Sequence, residues 1–278
     1  MADAIPLPTA DDANVRSVRR AIAILRAFGP DDTSLPLGEV ARRADLDKAT
    51  ARRLLRTLIA EGLMRQHAPS KDYSLDLGVL ELAAGATPAD TLRRLAGPRL
   101  AAIVAASGCA AFLLVAHQGA ALCLAALDGE APCRAPYPAG ARMALHTDAA
   151  ARVLMAYQRL EERMELLAGP LPAPPGTGAG APPTDPFQLS ARLDAIRQRD
   201  WDAATGEGAP GIAVLGAPVR GGRGAVVAAL ALAGPRETLL TGEEPRLLGL
   251  LRGEARAMEH ALAAPPGRGL RRPAAATG

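Results

Sequence analysis

Aromatic side chains are scarce in this 278-residue chain, which has three Phe, three Tyr and one Trp. Its cores must therefore be built from Ala, Leu, Val and Ile, without the large buried areas that aromatic rings supply. Lysine is scarcer still: Lys48 and Lys71 are the two lysines among 32 basic residues, and the rest are arginine. Cysteine is limited to Cys109, Cys123 and Cys133. Their spacing fits no zinc or redox pattern, an odd count suits a reducing compartment, and small apolar core residues are expected. No run of about 18 apolar residues is present, so no membrane span is expected. The N-terminal MADAIPLPTADDANVRS has no basic segment leading into an apolar one. No secretion signal is read there, and a cytoplasmic location is expected.

What is present is an uneven distribution of charge. The net charge is only +3, which selects no partner. Between Arg16 and Tyr73, however, twelve Lys/Arg face seven Asp/Glu, a surplus larger than that of the whole chain. A local basic surplus is the footprint of polyanion binding.

The same segment has a definite order of elements. SVRRAIAILRAF places Val18, Ala21, Ile22 and Leu25 at helical spacing, with Ser17 as N-cap. GPDDTSLP breaks it, and LGEVARRA is a short second helix with Val40 and Ala41 inward. After the turn DLD, Asp47 caps a helix that opens at Lys48 and ends at Gly62. LMRQHAPSKDYSLD reads as two short strands around a basic tip. Helix, helix, turn, helix and basic hairpin is the winged helix-turn-helix order.

The third helix decides what such a domain does. With Ala51 at the centre of its buried face, Leu54, Leu55 and Leu58 follow at three- and four-residue steps. Ala49, Arg53, Arg56 and Ala60 fall opposite, flanked by Thr50 and Arg52. Small residues near the helix start allow close approach to bases, and arginines bond guanine edges or phosphates. Lys48, Thr50, Arg52, Arg53 and Arg56 are therefore the expected DNA contacts of the helix, with Arg65, His67 and Lys71 reaching from the wing. An Arg-rich solvated face is the bland alternative. The preceding helix-turn and the following basic hairpin favour double-stranded DNA.

Downstream, LGVLELAAG is a short helix and ADTLRRLAGPRLAAIVAASG a longer one, with a break or fresh start expected at Pro98. AAFLLVAH and ALCLAALD read as buried strands. TDAAARVLMAYQRLEERMELLAG is expected as helix, followed by a Pro/Gly/Ala loop and the helix FQLSARLDAIRQRDW. GIAVLGAPVRGGRGAVVAALALAG is a strand hairpin turned at GGRG, and EEPRLLGLLRGEARAMEHALAA is a last helix. Strands and helices in this mixed order suggest an α+β domain.

Two groups of residues resemble the IclR family of bacterial transcription regulators. In the first part they are SVRRAIAILRAF, LGEVARRADLDKATARRLLRTLIAEGLM and YSLDLGVLEL. In the second they are YPAGARMALHTDAAARVLMAY and IRQRDWDAATGEGAPGIAVLGAPV, with Glu207, Gly211 and Ala217-Pro218-Val219 in register. The resemblance implies an α+β protein with an N-terminal winged helix-turn-helix domain and a C-terminal GAF-like α/β sensor domain. It also implies a homodimer or homotetramer with paired recognition helices and a small-molecule effector. The expected divisions are a disordered tail at 1–16, the DNA-binding domain at 17–75, and a linker helix at 76–96. An effector-binding and oligomerisation domain at 97–262 and a second disordered tail at 263–278 complete them.

The departures from the family pattern carry information. The glycine of the turn before the recognition helix is Asp45, which tolerates left-handed geometry better than most residues. Ala144 replaces a proline, and Ala151-Arg152 replaces a Gly-Lys pair. Gly140, Arg142, Met143 and His146 fall beside the implied effector pocket. Positions that carry Asp, Cys and two Ser in members binding small acids are here Ala204, Val214, Ala231 and Ala233. A buried carboxylate ligand needs pairing or hydrogen bonds, which these residues cannot offer. The expected effector is therefore more apolar than a small keto acid, or absent. In the latter case the protein binds DNA and its second domain only oligomerises.

No metal or cofactor site is expected, and no enzyme. Cys123 with His146 as nucleophile and base has no orienting third group or oxyanion loop, and Cys123 lies in an apolar run. GGRG at 221–224 is followed by no helix start, so it reads as a hairpin turn rather than a phosphate loop. Glu207 is expected to brace its loop, and Trp201 to pack. Repression is expected ahead of activation.

Overall fold

The computed structural model describes residues 15–29, 32–84, 87–131, 133–172, 182–205, 211–240 and 244–263. Apart from residues 15, 16 and 263, the two expected tails lie outside the described residues, as does Glu207. The chain divides into two compact units, Met1–Thr87 and Pro88–Gly278.

The first unit contains α1 (Arg16–Arg26), α2 (Leu37–Arg43), α3 (Lys48–Ala60), β1 (Met64–Gln66), β2 (Tyr73–Leu75) and α4 (Gly78–Ala84). Its core is Ile24, Leu35, Val40, Ala44, Leu55, Leu58, Met64 and Tyr73. β1 and β2 are antiparallel, and Leu35 joins Tyr73 through two backbone hydrogen bonds of 2.8 Å, so the connector before α2 is stitched to the hairpin. Two expectations for α1 are corrected. Its N-cap is Val15, with no side-chain cap, and not Ser17. Its buried residue is Ile24, while Val18 and Ile22 are exposed. Sequence spacing alone could not choose between neighbouring stripes of an apolar helix, because the core lies on one side of it.

The second unit contains α5 (Thr87–Ser107), β3 (Ala110–His117), β4 (Ala120–Leu127), β5 (Arg142–Ala144), α6 (Ala149–Ala156), α7 (Leu160–Ala168) and α8 (Pro186–Arg199). β6 (Asp202–Thr205), β7 (Ile212–Arg220), β8 (Val226–Pro235), α9 (Arg236–Leu240) and α10 (Glu244–Ala263) complete it. The six strands form one antiparallel sheet in the order β5-β4-β3-β8-β7-β6. Alternate residues of a strand face opposite ways. Phe112, Leu114, Val214, Ala231 and Ala233 accordingly join α6 and α8 in one core. Ala111, Leu113, Leu215, Leu230 and Leu232 join α5 and α10 in another.

Four expectations are revised here. α5 runs through Pro98 without a break. Pro98 is exposed and follows Gly97, so its ring points to solvent and meets no preceding Cβ. The long helix expected over 147–169 is two, α6 and α7, separated at Tyr157–Arg159. β5 and β6 were not anticipated: three and four residues long, they are strands only because β4 and β7 offer them partners. α9 was not anticipated either. The β7–β8 hairpin turns at GGRG as expected, and all three cysteines are buried and unpaired by disulfide. Among the described residues no helix is long and apolar enough to cross a membrane.

Candidate functional site

Local chemistry sets the start of α3. Asp45 takes φ +53°, the left-handed turn geometry expected of it. Asp47 sits in extended backbone and its carboxylate accepts the Thr50 N–H at 2.8 Å, which caps the helix. Gly62, at φ +70°, ends it. Between these points Ala51, Leu55 and Leu58 are buried and Leu54 is half-buried. Lys48, Ala49, Arg52, Arg53, Arg56 and Ala60 are exposed, and Thr50 is half-buried.

The arginines of this unit fall into two kinds. Arg42 and Arg43 of α2 are committed: both bond Glu39, and Arg43 also bonds Asp32 at 2.5 Å. These guanidiniums hold the Glu39 carboxyl down at about 2. Arg52, Arg53 and Arg56 of α3 have no hydrogen-bond or ion-pair partner for their guanidiniums among the described residues. On the wing, Arg65 is committed to Asp76 through two bonds of 3.2 and 2.7 Å. His67 Nε2 lies 2.9 Å from Ser74 Oγ. Lys71 is exposed at φ +63° near the tip. The structure thus gathers Lys48, Arg52, Arg53 and Arg56 on one helix with free donors, while Arg65 is held by Asp76.

In the second unit, Ala204, Val214 and Ala233 stand in register across β6, β7 and β8. Ala231 lies two residues along β8, opposite Gly216 and Phe112. All four positions share one face of the sheet and one apolar core. α6 packs onto that face so closely that a Cβ on Gly216 would meet the Ala150 Cα at 2.7 Å. Tyr137 stands edge-on to Phe112 beside this face, ring centres 5.7 Å apart. Met143, half-buried, packs on the same core. His146 is buried and its Nε2 lies 3.0 Å from the Pro172 carbonyl; burial holds its imidazole below the usual range. Arg142 is exposed and donates to the His117 carbonyl, which leaves it on the strand's outer side, and Gly140 takes φ +90°.

The polar groups behind this face, Arg152 of the Ala151-Arg152 pair among them, have roles that the sequence pattern alone does not assign. Arg152, on the buried side of α6, donates to Asp202 at 2.7 Å and to the His146 carbonyl at 3.0 Å. Asp148 caps α6 through the Ala150 N–H and is fully buried, which pushes its carboxyl up. The signal was the HTDAAAR stretch itself, where charged residues interrupt an otherwise apolar helix start. Cys123 directs its thiol at the carbonyls of Ala125 and Tyr137, and burial pushes it up to about 11. A nucleophilic thiol needs the opposite shift.

Two family models match the chain: the IclR helix-turn-helix domain over residues 17–68, and the bacterial transcriptional regulator IclR C-terminal domain over residues 86–260. The glycerol operon regulatory protein of Streptomyces griseus is 31% identical over 232 residues, covering 84% of this chain and 89% of that protein. The HTH-type transcriptional repressor AllR of Escherichia coli K12 is 24% identical over 249 residues, covering 89% and 90%. Among solved structures, an IclR homolog of Microbacterium hydrocarbonoxydans in complex with 4-hydroxybenzoate matches with a TM-score of 0.78 at 26% identity, covering 88% of this chain and 98% of that one. With both units matched in family order, this chain belongs to the IclR family of bacterial transcriptional regulators.

Proposed function

We propose that the protein is an operator-binding repressor that acts as a homodimer or homotetramer and answers to a small, largely apolar effector. The observation that carries the DNA reading is the set of unpartnered guanidiniums on α3 beside the committed ones on α2. Free donors on an exposed helix face suit phosphates and base edges, and each phosphate contact releases counterions. Lys48, Thr50, Arg52, Arg53 and Arg56 are assigned to operator contact, with Lys71 on the wing and Arg65 dependent on its release from Asp76.

The effector reading rests on the sheet face that carries Ala204, Val214, Ala231 and Ala233. Phe112, Tyr137 and Met143 border it with aromatic and thioether surface. A related structure holds an aromatic acid, 4-hydroxybenzoate. An apolar ring suits such a lining better than a compact keto acid does. The loss of polar groups at the same four positions also favours a second reading, in which this domain only oligomerises.

A gel-shift titration against the upstream intergenic DNA, at two salt concentrations with scrambled competitor, tests the first claim. A specific shift that weakens with salt supports it; no shift at low salt overturns it. Adding aromatic acids, and separately glyoxylate or pyruvate, tests the second. Release by an aromatic ligand supports the effector reading. A millimolar response to glyoxylate that Val214→Asp abolishes overturns it, and silence to every ligand leaves oligomerisation.

A further inference from the structure

Away from the effector face, the second unit has a cleft of about 290 Å³ where α8 ends, β7 outruns β6 and α10 passes. Four arginines line it, Arg199, Arg220, Arg252 and Arg256, and the carboxylates in the lining are Asp200 and Glu259. Those carboxylates are shared. Asp200 accepts from Arg220 at 2.7 Å and also feels the charge of Arg252. Glu259 accepts the Arg220 backbone N–H at 2.7 Å. Asp202, the carboxylate that pairs Arg199, is simultaneously held by Arg152 and Arg192, so it does not neutralise the rim.

The rim is also preorganised. The Arg199 guanidinium lies 4.5 Å from the Trp201 ring centre, and that of Arg220 lies 5.4 Å from the Tyr157 ring centre. Arg252 donates to the Arg199 carbonyl at the end of α8. Fixed guanidiniums bond oxyanions with little further loss of side-chain freedom. A packing role accounts for Arg220 and Arg252. It does not account for Arg256, which is exposed one turn from Arg252 and has no side-chain partner among the described residues.

We propose that this cleft binds a small doubly charged oxyanion, inorganic phosphate or the phosphate group of a monoester. Planar guanidinium forks match the oxygens of such a group, and a charge of two offsets the excess of the lining. The cleft's volume suits the phosphate itself rather than a bulky base. The cleft is built from residues of α8, β7, α10 and the turn after α8, and shares none with α3, the wing or the sheet face that carries Val214, so it stands whether or not those readings hold.

Trp201 is the chain's sole tryptophan and touches one of the four arginines, so it reports on the site. The full chain is titrated with sodium phosphate at constant pH and at ionic strength matched with sodium chloride. Tryptophan emission and heat are followed. The expected result is a saturable change with half-saturation on the order of 1 mM or lower. Arg256→Ala, an exposed substitution that leaves the fold intact, is expected to raise the half-saturation about tenfold. A parallel titration with phenyl phosphate separates the sources: tighter binding assigns the site to a monoester, equal or weaker binding to free phosphate. The proposal is overturned by a response no different from that to chloride, or by a phosphate response that Arg256→Ala leaves unchanged.

Discussion

Arg152 and Asp202 meet at 2.7 Å inside the second unit, and neither side chain has any exposed surface. The pair ties α6 to β6, and Arg192 and Arg199 approach the same carboxylate from α8. Removing the carboxylate strands a buried guanidinium that cannot recover its water. Asp202→Ala is therefore expected to cost about 3–5 kcal/mol, read from urea unfolding of the full chain. A loss below about 1 kcal/mol would show that Arg152 turns out to solvent.

Gly216 fills the contact between β7 and α6. An added Cβ meets Ala150 Cα at 2.7 Å and Ala150 N at 2.8 Å, and backbone atoms cannot rotate away. Gly216→Ala is expected to destabilise by about 1–3 kcal/mol and to lower the melting temperature. An unchanged melting temperature would mean that α6 rides freely over the sheet.

Arg53→Ala is expected to cost about 1–3 kcal/mol in operator affinity if the guanidinium bonds a base. Arg42→Ala serves as the control, because that guanidinium already bonds Glu39 within α2. Fluorescence anisotropy at physiological salt measures both. Equal losses for the two variants would erase the distinction between free and committed arginines.

Asp148 gives a pH dependence with a definite sign. Burial raises its folded carboxyl above the unfolded value, so ionisation opposes folding. Below about pH 4 both states are largely protonated and no penalty exists; it grows as pH rises from the unfolded value, is complete once pH passes the folded value, and then persists. Asp148→Asn retains an oxygen for the Ala150 N–H that now caps α6 at 2.8 Å. The variant is expected to be more stable than the parent at neutral pH, with the gain vanishing below about pH 4. Chemical denaturation at the two pH values measures it, and a variant weaker at neutral pH shows that attraction to Arg152 outweighs burial.

Features carried by a few adjacent residues could be read before any fold was known. The Asp47 cap, the left-handed Asp45, the Ala51–Leu55–Leu58 stripe and the GGRG turn are of this kind. Ala204, Val214, Ala231 and Ala233 are spread over three strands; the resemblance aligned them and the sheet register brings them onto one face. Ile24 rather than Ile22 at the core, the unbroken α5 and the short β5 and β6 could not be read in advance, because each depends on a partner distant in sequence.

The sequence by itself determined the order of the elements in the first unit, the Asp47 cap, the turns at Asp45 and GGRG, and the basic surplus of that unit, because propensity, periodicity and charge are local or additive. Tertiary structure decided which charges are available. Arg43 and Arg53 are the same residue on neighbouring helices, yet one is closed by Asp32 and Glu39 and the other faces solvent. The same holds for Arg199, Arg220, Arg252 and Arg256, spread over α8, β7 and α10 and gathered at one cleft. Attraction between charges falls with distance and with exposure to water, and neither quantity is written in the order of residues.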